Sequence, residues 1–192
     1  YLHETTMDFR GGGGDDFLNL GTGLFTIETA SGNDTILIRG GQNIETQTTI
    51  DMGSGSDNIR VGGGANTISL GDGDDLATIN RGSNMIVGGA GSDRITIFDG
   101  VNVIFSQVGD DYVTVNSGIN SISTGSGNDT VYLSGGSNDV DAGAGDDLII
   151  AVDGASGIVI KAIDAGAGTD TFNVYSSGNV TLPAISNIEN FF

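Results

Sequence analysis

Nine aspartates recur at spacings that no irregular sequence produces: Asp16, Asp34, Asp57, Asp75, Asp93, Asp111, Asp129, Asp147 and Asp170. From Asp57 to Asp147 every interval is 18 residues, and each is halved by an asparagine: Asn66, Asn84, Asn102, Asn120 and Asn138. An ionised carboxylate only accepts hydrogen bonds, and its two oxygens are hard ligands. With no Cys in the chain and a single histidine, His3, near its start, the set offers oxygen alone. Oxygen-only ligands on flexible turns suit Ca²⁺ rather than Zn²⁺, and Mg²⁺ less well because it keeps its waters.

That chemistry needs elements that bring distant aspartates together, and the flanking residues supply them. Two residues before each acid or amide of the regular run stands a glycine, from Gly55 and Gly64 to Gly145. Two residues after it stands an apolar residue, from Ile59 and Ile68 through Ala77 to Ile149. Each nine-residue unit therefore reads as a glycine turn followed by a short strand with one face inward. The Asp/Asn alternation makes the structural repeat 18 residues, two turns and two strands, which is one coil of a solenoid. The fold class expected is all-β: a parallel roll of about nine such coils, with two parallel sheets back to back and capped ends. One edge of the stack carries the Asp turns and the other the Asn turns. Coils about 4.8 Å apart would leave bare carboxylates repelling by roughly 1 kcal/mol in water and roughly 3 at an effective dielectric of 20.

Up to eight gaps between successive Asp turns are thus expected to hold Ca²⁺, by carboxylate oxygens and by backbone carbonyls of the turn glycines. Those glycines are Gly12, Gly14, Gly32, Gly53, Gly55, Gly71, Gly73, Gly89, Gly91, Gly109, Gly125, Gly127, Gly143, Gly145, Gly166 and Gly168. Ala30 and Gln107 stand where other turns have their first glycine, and weaker sites are expected there. The Asn edge is read as a ladder of side-chain amides.

Residues 1–10 read as an N-terminal cap, 11–182 as the roll and 183–192 as a C-terminal capping strand. Fourteen-residue steps from Asn43 to Asp57, and again before Asp170, predict loop insertions near 45–51 and 157–165. Both would lie between an amide-type and an acid-type half-repeat. His3 is expected as an exposed residue of the cap. Because the chain starts at Tyr1, it is read as a fragment or processed product.

Composition narrows the function. The net charge is −19, and the six cations, Arg10, Arg39, Arg60, Arg81, Arg94 and Lys161, are scattered along the sequence. There is no basic footprint for nucleic acid and no apolar run of membrane-spanning length. A catalytic set of His, Lys, Arg or Tyr beside carboxylates in a cleft is not legible, so no catalytic residue is assigned. Outward strand positions offer two candidate interfaces, Met85, Val87, Val103 and Phe105 on the Asn-side strands and Tyr112, Tyr132, Leu148 and Ile150 on the Asp-side strands. Thr78, Thr96 and Thr114, outward and in register, raise ice binding as a further reading, although Arg60, Arg94 and Tyr132 interrupt that face.

The segments Gly11-Gly12-Gly13-Gly14-Asp15-Asp16-Phe17-Leu18-Asn19 and Gly88-Gly89-Ala90-Gly91-Ser92-Asp93-Arg94-Ile95-Thr96 resemble the RTX, or haemolysin-type, calcium-binding nonapeptide. That repeat is a known solenoid signature. Closely similar turns are Gly53 to Asp57, Gly71 to Asp75, Gly125 to Asp129, Gly143 to Asp147 and Gly166 to Asp170. The tail Ile185 to Phe191 is similar to the strand that often follows such arrays. The resemblance implies a right-handed, serralysin-like parallel β-roll, Ca²⁺ between turns one coil apart, secretion from Gram-negative bacteria and folding on meeting external calcium. The location implied is extracellular, cell-surface or periplasmic. The partner expected besides calcium is another protein or the rest of a longer chain. The function expected is a structural and interaction module of a surface, adhesin or larger assembly. A module attached to a secreted protease, lipase or polysaccharide epimerase or lyase is the alternative.

Overall fold

The computed structural model describes residues 6–40, 47–152, 157–176 and 184–192. Within them the chain forms twenty strands and no helix. The strands alternate between two ten-stranded sheets, odd-numbered strands in one and even-numbered strands in the other. Every pairing is parallel, so each strand lies beside the strand one coil on. One sheet is built mainly of longer strands, such as Ala65–Asp72 and Val101–Val108, and the other of four-residue strands, such as Arg94–Ile97. This is the solenoid of about nine 18-residue turns that the repeat predicts.

The core is a set of columns between the sheets. Ile68, Ile86 and Ile104 stack on one side and Ala77, Ile95 and Val113 on the other, all fully buried. Inward and outward residues alternate within each strand, as a half-buried strand requires. Leu18, Phe25 and Ile27 carry the core towards the N-terminal end, where Met7 and Phe9 pack on it half-buried. The far end is closed by two short strands, Ile185–Ser186 and Asn190–Phe191, one on each sheet. Phe191 meets the buried Phe172 edge-on, with ring centroids 5.3 Å apart. The expected terminal strand is therefore a partial tenth coil. His3 lies outside the described residues.

The first insertion, and most of the second, sit earlier than expected. Gln47–Asp51, predicted to bulge, is a strand of the longer-strand sheet, with Thr48 and Ile50 buried. Thr48, not Asn43, stands in the column of Asn66. The five extra residues therefore fall between Thr35–Ile38 and that strand, since Thr26 pairs with Thr49 and Thr35 with Asn58. Likewise Ile158–Asp164, placed in the second insertion, is a strand. Part of that surplus is a bulge near Lys161, where the register shifts between Asn138 and Asp139. The remainder precedes Ile158. Ile50 continues the column of Ile27 and Ile68, and burying it outweighs keeping the polar register of Asn43. Both surpluses thus fall between an acid-type and an amide-type half-repeat, on the Asn edge.

Ala30 and Gln107 adopt φ of 77° and 84°, the positive values that glycine takes at the same point of the other Asp turns. A side chain there costs about 1–2 kcal/mol, partly offset by the greater freedom of unfolded glycine. Gln107→Gly is expected to raise stability in calcium by about 0.5–1 kcal/mol. Equilibrium urea unfolding measures it; an unchanged or lower midpoint would show that the turn is unstrained.

Candidate metal centre

The nine aspartates predicted from spacing all come to one edge, and eight of them are exposed by 2 % or less, Asp16 being half-buried. Each is held in the same way. The backbone N–H of Asp16 donates to Oδ1 of Asp34, Asp34 to Asp57, Asp57 to Asp75, and so on to Asp147 and Asp170, at 2.7–3.0 Å. The series crosses both insertions without interruption. The other oxygen, Oδ2, is buried without a hydrogen-bond partner in all nine. A buried, unpaired carboxylate oxygen is costly, and here it repeats once per coil.

Burial pushes the carboxyls of the six aspartates from Asp57 to Asp147 up from the usual carboxylate range. Loss of water is the main cause, offset by the backbone N–H, while neighbouring carboxylates raise them further. Asp75 and Asp147 rise to about 6 and Asp93 and Asp111 to about 7, and Asp57 and Asp129 move in the same direction. A bare edge therefore holds protons when folded, whereas the unfolded chain releases them near 3.9. Folding of the metal-free chain is favoured below about pH 4. That contribution is lost as pH rises and is gone once pH has passed about 7. Calcium competes with the same protons. The calcium concentration needed for folding is expected to fall as pH falls from 8 to 6, because protons on the raised carboxyls then stabilise the folded edge in place of ions. Circular dichroism against calcium at several pH values checks this; a pH-independent midpoint would contradict it.

The remaining oxygens in each gap are backbone carbonyls. A Cβ built on Gly55, Gly73 or Gly91 would run into the carbonyl of Gly32, Gly55 or Gly73 respectively, one coil earlier. On Gly53, Gly71 or Gly89 it would meet the carbonyl of Ala30, Gly53 or Gly71. The turn carbonyls are thus aimed along the stack, and a glycine leaves room for them in most turns, Ala30 and Gln107 being the exceptions. Among the described residues, no three or more His, Cys, Asp or Glu side chains converge so as to hold one metal ion. Each gap has two carboxylates, so a cation there must complete its shell with carbonyls or water. Buried unpaired carboxylate oxygens, carbonyl neighbours and absent nitrogen and sulfur ligands fit Ca²⁺. When bound, calcium supplies the positive charge that the edge lacks.

The opposite edge satisfies itself. Nδ2 of Asn66 donates to Oδ1 of Asn84, Asn84 to Asn102, Asn102 to Asn120 and Asn120 to Asn138, at 2.6–2.9 Å. Each Nδ2 also reaches a carbonyl three residues back, such as that of Ser117 or Gly135. An amide both donates and accepts, so its ladder closes, and no Asn oxygen is left buried and unpaired among the described residues.

A second ladder on the acid edge was missed in the sequence. Asp15, Asn33, Asp74, Asp110, Asn128 and Asp146 each accept, through the side chain, the N–H of the same position one coil on. It is exposed and runs opposite to the buried ladder. The signal was the acid or amide directly before the motif aspartate in six of nine turns.

The outward residues divide. Met85 pairs with Val103 and Val87 with Phe105; Met85, Val103 and Phe105 are about 40 % exposed, and Val101 and Ile119 extend the patch. Tyr112, Tyr132, Leu148 and Ile150 are only half-buried, and Arg94 lies 4.3 Å over the Tyr112 ring. Thr78, Thr96 and Thr114 are in register, bounded by Arg60 and Tyr132.

A parallel roll with a periodic, buried edge of unpaired carboxylate oxygens defines a calcium-binding repeat module. The family model of the RTX calcium-binding nonapeptide repeat matches residues 9–24, 53–77, 78–113 and 114–149, more than half of the chain. The chain belongs to that family. The comparisons with curated proteins and with solved structures gave no match. The turns of Asp34 and Asp170 fall outside the matched residues, yet both aspartates take their places in the ladder.

Proposed function

We propose that this chain is an extracellular structural module whose folding is driven by Ca²⁺ and which serves as a scaffold or interaction unit of a surface, adhesin or larger assembly. The observation that carries the reading is the in-register row of nine unpaired, buried Asp oxygens. Up to eight ions fit the gaps between the nine turns, held by the aspartates and turn glycines named above. A module that folds only where calcium is millimolar stays unfolded in a calcium-poor cytoplasm, which supports secretion from a bacterial cell. The apolar patch around Met85, Val103 and Phe105 supports a protein partner or the rest of a longer chain. Attachment to a secreted enzyme is compatible with the same module. Equilibrium dialysis tests the calcium part: several ions per chain should bind in the 10⁻⁴–10⁻³ M range typical of extracellular sites. Retention of no calcium at millimolar concentration would overturn it.

A further inference from the structure

The ladder on the acid edge has a direction. Each turn gives its aspartate N–H to the carboxylate one coil further on, so the C-terminal turn needs an acceptor that the nine aspartates cannot supply. Glu189 supplies it: the N–H of Asp170 donates to its Oε2 at 2.8 Å. The strand pairing is offset by 22 residues at Ile163 and Ile185 but by 19 at Thr171 and Asn190. The capping turn, Asn187-Ile188-Glu189, is therefore three residues shorter than a glycine turn. The longer arm of glutamate reaches the position that aspartate holds elsewhere. Asn187, at φ 56°, fixes this short turn by donating through Nδ2 to Asp164. Asp170 is fully buried, and its Oδ2 has no partner.

We propose that Asp170 and Glu189 bound one more Ca²⁺ site, a ninth gap at the C-terminal cap, so that the cap is fastened by the same ion chemistry as the roll. It rests on the reading of the acid edge as a calcium ladder. The gap has carboxylates on both sides and an unpaired buried oxygen, as the inner gaps do. It has a glycine turn, Gly166 to Gly168, on one side only, so water completes the shell and this ion is the weakest of the row.

Glu189→Gln tests this, because the amide keeps an acceptor for the Asp170 N–H while removing the charge. Calcium counted by equilibrium dialysis is expected to fall by one ion per chain, the ion of lowest affinity, with the other affinities unchanged within about twofold. An equal count and equal affinities in wild type and variant would show that Glu189 only caps the ladder. If the variant does not fold, Mn²⁺ added to the calcium-loaded wild-type chain provides the test. It should first broaden the amide NMR signals of Asn190 and Phe191, and broadening elsewhere first would overturn the proposal. A wild-type chain that binds no calcium would instead defeat the reading of the whole acid edge.

Discussion

Removing calcium at pH 7.5 is expected to abolish the β-sheet signal of the chain, and millimolar calcium to restore it. The folded edge without metal holds nine carboxyl oxygens out of water with no partner. Ions at tenfold excess over a typical extracellular Kd stabilise each site by about 1.4 kcal/mol. Eight independent sites then contribute about 11 kcal/mol, comparable to the whole stability of an ordinary domain. The side chains in the core columns are mostly Ile, Val and Ala rather than large aromatics, and among the described residues Phe172 is the one aromatic whose side chain is fully buried. Such a thin core has little margin once that contribution is lost. Far-UV circular dichroism in chelator reads the outcome directly, and the same β signal with and without calcium would contradict it. Moving the metal-free chain to mild acid should recover part of the signal, because protons then occupy the carboxyls raised to about 6–7.

Gly91→Ala is expected to be among the most damaging of the single-methyl changes. Gly91 sits mid-array at φ 131°, and an added Cβ would overlap the carbonyl of Gly73. Backbone cannot move aside as a side chain does, so the two coils must separate. The strained φ alone costs about 1–3 kcal/mol, and the overlap brings the total to the order of 3–5 kcal/mol. Because coils contact only their neighbours, the damage should centre on the turns of Asp75 and Asp93. A fall in the urea midpoint in saturating calcium, with at least one ion lost, is the expected result. Gly12→Ala is the control: a Cβ there meets nothing, so only the cost of positive φ remains. Equal losses at the two positions would show that close stacking of the turns is not what requires Gly91.

Much of this was legible because each requirement leaves its own residue in phase. The alternation of Asp75, Asn84, Asp93 and Asn102 specified two unlike edges, and the apolar residue two positions later specified the core columns. The insertions were misplaced because Asn43 has the right residue type and spacing, whereas Thr48 holds the position by burial of its neighbour Ile50. Periodicity alone cannot weigh those two. Glu189 was invisible for a related reason. It lies one residue out of phase with Asp170, and only the direction of the hydrogen-bond ladder shows that a carboxylate is needed there. The apolar patch was read from Met85, Val87, Val103 and Phe105, but its extension to Val101 and Ile119 lay in the turn-to-strand positions that the pattern treats as neutral.

Cations are expected to line the Asp edge and to spare the Asn edge. Anomalous diffraction from crystals grown in calcium tests it most directly. A row of calcium peaks is expected between successive aspartate turns from Asp16 to Asp170, and none beside Asn66, Asn84, Asn102, Asn120 or Asn138. An Asp edge without peaks, or peaks of equal height along both edges, would contradict it.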